Sequence, residues 1–251
     1  MTKRWLVVAI CALAAPARGQ SVNVNFGDSA DAPSASYAAA GAAGTWNSVS
    51  GIAGLTFQLV ATDGSSTSIM LTQSPTTTLL ATSDPSVTGD DAKLLDTGLV
   101  TSDAETCLAF TGFQPGDYEV LVYAWMPAQP AVKSRTRQDE APSTIDVGGA
   151  WTGVHVEGVT YARYVVTVDA SGALPAHSGL VPGQPTAALN GIQIRPLDGG
   201  GGGDAGTGGA PGDAGVDLSP HHGGCSSGGD AGVGALLFAL GFACRRRRVE
   251  R

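Results

Sequence analysis

The stretch Thr106-Cys107-Leu108-Ala109-Phe110-Thr111-Gly112-Phe113-Gln114-Pro115-Gly116-Asp117-Tyr118-Glu119-Val120-Leu121-Val122-Tyr123-Ala124-Trp125-Met126 holds two runs of β-favouring residues around a Pro-Gly pair. In the first run apolar and polar residues alternate, the pattern of a strand with one covered face. Cys107 lies within it, where a thiol is expected to act as a small buried hydrophobe and not as a nucleophile. The second run is apolar on both alternating faces, with Val120, Val122 and Ala124 against Leu121, Tyr123 and Trp125. Such a strand is covered on both sides or lies beside a ligand surface. Between the runs, Pro115 presets φ and Gly116 accepts a positive φ, which predicts a type II turn and a hairpin.

The same signals extend outward from this centre. Short β-rich runs at Val22 to Phe26, Leu55 to Thr62, Ser68 to Thr72, Leu94 to Val100, Ser143 to Val147, Ala162 to Asp169 and Ile192 to Ile194 are separated by Gly, Pro, Asp and Ser clusters. No amphipathic helix of useful length is predicted. In Ala162 to Asp169, Tyr164, Val166 and Val168 oppose Arg163, Thr167 and Asp169, so one sheet face should meet water. The segment Lys133 to Glu140 carries Lys133, Arg135 and Arg137 and reads as a long loop after a strand. Many short strands with turn signals predict an all-β fold, an antiparallel β-sandwich or jelly roll over residues 20–197.

Several local motifs strengthen that expectation. The opening Val22-Asn23-Val24-Asn25-Phe26-Gly27, the pair Trp46-Asn47, the run Phe110 to Tyr118 and the closing Leu189-Asn190-Gly191-Ile192-Gln193-Ile194 together resemble the galactose-binding-like and malectin-like jelly rolls of bacterial exported proteins. The resemblance spans nearly all of residues 21–197 and implies the fold; it suggests carbohydrate binding. Flat aromatic rings stack on the C–H faces of sugars, so Trp46, Tyr123, Trp125, Trp151, Tyr161 and Tyr164 are candidates, each weighed against a core role. Trp125, Trp151, Tyr123 and Arg135 are the ligand-binding residues we expect, because Trp125 and Trp151 flank the basic segment.

The two ends of the chain read as targeting segments. Met1 to Arg4 is a basic n-region, Trp5 to Ala15 an apolar h-region, and Ala15-Pro16-Ala17 or Ala17-Arg18-Gly19 a small-residue cleavage site, so residues 1–19 are predicted to be a secretory signal peptide. Ile10 before Cys11 does not suit a lipobox. Residues 198–224 hold 12 Gly with Asp and Ala and almost no large apolar side chain, which predicts a disordered linker with a reach of roughly 30 Å. His221 and His222 fall in that linker, where solvated histidines outnumber metal sites. Beyond it, Cys225, the apolar run Ala231 to Cys244 and Arg245, Arg246, Arg247 and Arg248 resemble MYXO-CTERM sorting tails. The resemblance implies processing by a sorting protease and anchoring near Cys225 at the cell surface or outer envelope. The 14-residue run would cover about 21 Å as a helix, short of a hydrocarbon core of about 30 Å. Contact with a membrane is therefore expected only through residues 225–251.

Charge and cysteine usage narrow the function classes. The whole chain carries −8, but residues 20–244 hold 6 basic and 21 acidic side chains, a net −15. Such a surface repels phosphate backbones and anionic lipid, which argues against nucleic-acid partners and favours neutral or cation-bridged ones. The partner expected with the jelly-roll resemblance is a polysaccharide or a surface or matrix component. Cys107 is the single cysteine of residues 20–197, so no internal disulfide is expected there. Phe26-Gly27-Asp28-Ser29 matches the nucleophile block of GDSL-type esterases, yet no Asp stands three residues before His155, His177, His221 or His222. Asp90-Asp91, Asp103 with Glu105, and Asp139-Glu140 offer carboxylate pairs, with solvated loop charge as the plainer account. Asp84, Asp90, Asp91 and Asp96 around Gly89 offer oxygen ligands for calcium but match no EF-hand loop, and no metal ligand or cofactor is assigned. The sequence thus reads as a non-catalytic exported β-sandwich, with a GDSL-type hydrolase and a purely structural envelope protein as alternatives.

Overall fold

The computed structural model describes residues 20–197, apart from 51–53, 74–76, 81 and 140–142. The predicted signal peptide at 1–19, the linker at 198–224 and the tail with Cys225 and Arg245 to Arg248 lie outside the described residues. The first half of the described chain forms β1 (Val22–Phe26), β2 (Trp46–Val49), β3 (Thr56–Val60), β4 (Ser66–Thr72), β5 (Thr78–Leu79), helix α1 (Gly89–Leu95) and β6 (Leu99–Thr101). The second half forms β7 (Thr106–Thr111), β8 (Gly116–Tyr123), β9 (Ser134–Gln138), β10 (Ile145–Val147), β11 (Tyr161–Val168), β12 (Leu174–Leu180), β13 (Ala187–Leu189) and β14 (Gly191–Pro196).

The strands make a β-sandwich, as the sequence predicts. A five-stranded sheet in the order β11-β8-β14-β1-β2 faces a six-stranded sheet in the order β10-β9-β12-β7-β4-β3. Pairing is antiparallel except for β1 with β2, where Asn23 stands opposite Trp46 and Phe26 opposite Val49. Val22, Val24, Phe26, Val120, Val122, Ile192 and Ile194 from the first sheet meet Leu59, Ile69, Leu71, Leu108, Phe110 and Leu174 from the second. Alternation fills this core, since each strand sends every second side chain inward. A third sheet, β13-β6-β5, is tied to the six-stranded sheet by Ala188, whose N–H donates to Ser134 Oγ at 2.8 Å.

Several expectations change in the structure. β7 and β8 do not form a hairpin, because they belong to different sheets and the Pro115-Gly116 turn carries the chain across the sandwich. Nor is the connection a type II turn, since Gly116 takes φ +151° where such a turn needs about +80°; the Gln114 carbonyl accepts the Tyr118 hydroxyl at 2.9 Å. Residues Leu94 to Val100 are not one strand. Leu94 and Leu95 end α1, where Asp90 and Asp91 suit the helix N-terminus and Asp96 N–H closes on the Ala92 carbonyl at 2.8 Å. The basic segment is also no long loop: Ser134 to Gln138 pairs with β10 and β12, which places Arg135 and Arg137 outward and Ser134, Thr136 and Gln138 inward. Cys107 alternates toward the outer face and is half-buried, whereas Thr106, Leu108 and Phe110 turn inward. Among the described residues, no helix is long and apolar enough to cross a membrane.

Candidate functional site

The outward face of the five-stranded sheet is divided: Glu119 pairs with Arg163 and Arg195 on one part of it, and the other part is apolar and covered. Leu121, Tyr123, Trp125, Trp46 and Tyr161 meet Leu94 and Leu95 of α1 and Val87, with Tyr37, Ala39, Ala40 and Trp151 packed around them. Polar groups fix the cover in place. Tyr123 Oη accepts from Ala40 N–H at 2.9 Å and donates to Gln193 Oε1 at 2.5 Å, while Gln193 Nε2 donates to the Ala42 carbonyl at 2.9 Å. Asn190, fully buried, donates from Nδ2 to the Leu95 and Thr97 carbonyls at 2.8 Å each and accepts Trp125 N–H at 2.6 Å.

This arrangement corrects two of the expected ligand residues. Trp125 is 1 % exposed, with its Nε1–H donated to the Gly149 carbonyl at 2.8 Å, and Tyr123 is 0 % exposed. A ring enclosed on both faces offers nothing for a sugar to stack on, so both belong to the packing of the cover. The same holds for Trp46, whose Nε1 donates to the Tyr37 carbonyl at 3.2 Å.

Trp151 differs. It is half-buried, between exposed Thr152 and Val154 on one side and the covered cluster on the other. The Trp125 ring lies 6.4 Å away between centroids, and the His155 ring meets the indole edge to face at 5.5 Å and 69°. Its indole N–H has no hydrogen-bond partner among the described residues. Two rings thus brace the indole, and the residue as a whole stays only half-buried.

His155 is held in turn. Its side chain is 7 % exposed, with Nε2 2.7 Å from Tyr37 Oη and 3.2 Å from Asp91 Oδ1, and Nδ1 3.2 Å from Thr160 Oγ1. Tyr37 Oη donates to Asp91 Oδ1 at 2.5 Å. With the tyrosine proton committed to the carboxylate, His155 Nε2–H donates to Tyr37 Oη, while the Thr160 hydroxyl accepts Val156 N–H at 3.1 Å and has both the Val156 carbonyl at 3.3 Å and His155 Nδ1 at 3.2 Å within reach of its one proton. Burial holds His155 below its ordinary value of 6.5, against the opposing pull of Asp91, and burial and the Asp91 hydrogen bond push the Tyr37 phenol well up.

The outward face of the six-stranded sheet is polar and open. Arg135 makes a two-pronged pair with Asp146, Nε to Oδ1 at 2.7 Å and Nη2 to Oδ2 at 3.0 Å, each partner about a third exposed. Arg137 reaches Glu105 Oε1 at 2.6 Å and Asp139 Oδ1 at 2.5 Å. His177 lies beneath these carboxylates, 6 % exposed, with Nδ1 2.7 Å from Glu105 and Nε2 3.0 Å from Asp139. Gly179 lets the Ala104-Glu105 segment pass close to β12: a Cβ there would stand 2.2 Å from the Ala104 carbonyl oxygen. The depression lined by Glu105, Arg135, Arg137, Thr144 and His177 has a cavity volume of about 30 Å³, far below the roughly 300–1,000 Å³ of enclosed small-molecule clefts.

Arg135 therefore lies on one outward face of the sandwich and Trp125, Tyr123 and Trp151 on the other, so the structure does not bring these expected residues to a single ligand. Tyr37, Asp91 and His155 were not singled out as a group, and no sequence signal joins positions so far apart. Ser29 opens a single 3-10 turn (Ser29–Asp31), and neither described histidine pairs with it. The parallel sheet flanked by helices that a GDSL-type hydrolase needs is replaced by the sandwich, which removes the structural basis for that reading. The acidic residues around Gly89 are engaged by protein donors: Asp90 by Ser34 and Lys93, Asp91 by Tyr37, Asp84 by Ser86 and Ala128, and Asp96 by Asp84 N–H. Among the described residues, no three His, Cys, Asp or Glu gather to hold a metal.

Comparison with family models and with curated proteins gave no match. Among solved structures, the chain is similar to the CBM36-1 domain of a multidomain xylanase from the hindgut metagenome of Trinervitermes trinervoides, at 13 % identity and a TM-score of 0.26. That alignment covers 54 % of this chain and 99 % of that domain.

Proposed function

We propose that this protein is an exported, surface-anchored, non-catalytic β-sandwich that binds carbohydrate, with Trp151 as the stacking residue. The observation that carries the reading is the state of Trp151: half-exposed, braced by Trp125 and His155, with an indole N–H that none of the described residues uses. A braced aromatic ring loses little freedom when a pyranose stacks on it, and its N–H can donate to a sugar hydroxyl. Shallow depressions beside a rigid scaffold suit a polymer lying on a surface better than they suit a reaction shielded from water. In this reading the acidic domain is held clear of the envelope by the Gly-rich stretch at 198–224 and anchored through Cys225.

Two experiments test it. Trp151→Ala should weaken retention on the polysaccharides identified by a glycan-array screen of the full chain while the thermal melt changes little. Melting as deeply lowered as for a core tryptophan would overturn the binding role and favour a purely structural envelope protein. Cys225→Ala should leave folding intact and abolish stable surface anchoring; unchanged fractionation of that variant would overturn the sorting reading.

A further inference from the structure

The environment of Trp151 points to a way of regulating it. Three chain segments distant in sequence meet at one buried imidazole: Tyr37 from the segment between β1 and β2, Asp91 from the first turn of α1, and His155 itself from the segment that leads from Trp151 into β11. Tyr123 of β8 packs edge to face on the same imidazole at 5.3 Å and 74°, and Trp151 does so from the outer side. Of the titratable groups facing His155, only Asp91 offers a counter-charge; Tyr37 and Tyr123 are held neutral, their phenols pushed up chiefly by burial.

We infer that Tyr37, Asp91 and His155 form a proton-sensitive latch that positions Trp151, so that acid loosens the aromatic platform and releases its ligand. The role of the ligand rests on the carbohydrate reading of Trp151; the latch itself does not. A proton added at Nδ1 would place a cation among three aromatic rings, Tyr37, Tyr123 and Trp151, with one carboxylate to balance it. Water outside the pocket solvates that cation better than the pocket does. Because burial depresses the folded value of His155, the latch is complete above 6.5, the ordinary value, and weakens as the pH falls below it toward the lower value of the buried ring. His155 is thus a positioning residue, acting through Trp151.

The test begins with the unliganded full chain, titrated by tryptophan fluorescence from pH ~7.5 to ~4.5, the range a histidine switch covers. The expected result is a red shift below pH 6.5 that is absent in Trp151→Phe and in His155→Gln, whose amide cannot titrate. Asp91→Asn, which removes the counter-charge, should make the release more complete at a given acid pH. Hydrogen exchange on the wild-type chain gives a second measure that needs no variant: residues 149–160 should lose protection in acid while β8 and β14 keep theirs. A flat fluorescence profile, a shift that persists in His155→Gln, or unchanged protection of 149–160 would overturn the latch. If the latch holds, retention on the selected polysaccharide should fall about tenfold for each unit by which the release equilibrium shifts, and His155→Gln should flatten that profile. Failure to retain any glycan at neutral pH, with the acid transition intact, would instead overturn the carbohydrate reading alone.

Discussion

The two outward faces of the sandwich are built from the same alternating strands and end in opposite states. On the five-stranded sheet the outward positions of β8 carry Glu119, paired with Arg163 and Arg195, and then Leu121 and Tyr123, with Trp125 just beyond, and the chain folds α1 and two loops over the apolar part. On the six-stranded sheet the outward positions of β9 carry Arg135 and Arg137, each about a third exposed to water, and His177 of β12 lies beneath the Glu105 and Asp139 carboxylates. The difference shows that a strand's second face decides how many layers a β-domain acquires. An apolar second face recruits chain from elsewhere, and each recruited segment needs its own polar ties, here through Asn190, Gln193, Tyr123 and the Tyr37–Asp91–His155 group. A charged second face is content with ion pairs, which water screens and which contribute little to stability.

The sharpest way to break this contrast is Trp125→Ala. A fully packed indole removed from the covered face should cost about 3–5 kcal/mol, read from urea unfolding at unchanged slope. A variant as stable as the parent would mean that the cover is loosely packed. Next, Asn190→Ala leaves Trp125 N–H and the Leu95 and Thr97 carbonyls without their partner, and about 2–3 kcal/mol should be lost; a loss within error would mean that water replaces the amide and the cover is wetter than its burial implies. Gly116→Val tests the turn that joins the sheets. No atom lies within 4 Å of the added Cβ, so the cost, about 1–3 kcal/mol, should come from backbone strain at positive φ alone. The smallest effect belongs to the open face: Arg135→Ala should shift stability by no more than about 1 kcal/mol, because both partners of its ion pair are about a third exposed. Equal losses from Trp125→Ala and Arg135→Ala would erase the distinction between the faces.

The covered face was legible where hydrophobicity ran through both sides of one strand. Tyr118 to Met126 predicts coverage on both faces, and that is how β8 is buried. Val22 to Phe26, and the alternation of Tyr164, Val166 and Val168 against Arg163 and Thr167, were equally plain. β9 was not, because its inward residues are Ser134, Thr136 and Gln138, which leave no apolar period beside the arginines. β12 hid behind Pro175, His177 and Gly179, residues poor in β propensity that neighbouring strands hold in line. For the site, Trp151 could be named but not distinguished from Trp125, since burial of an aromatic ring depends on segments recruited from elsewhere. The latch could not be read at all: Tyr37, Asp91 and His155 meet only once the cover has folded.

The pairing of the first and last described strands has a mechanical consequence. Val22 stands opposite Ile194 and Asn25 opposite Gly191, so the chain enters at Val22 and leaves at Pro196 on the same pole of the sandwich. Trp125 and its neighbour Trp151 lie beyond Tyr123, which pairs with Gly191 at the other pole, about 17 Å away along β14 at roughly 3.3 Å per residue. β14 is hydrogen-bonded on both sides, to β1 and to β8. A pull at Leu197 against a load on the aromatic pole would therefore run along β14, and the ladder bonds to both neighbours would bear it in shear, together, instead of peeling one after another.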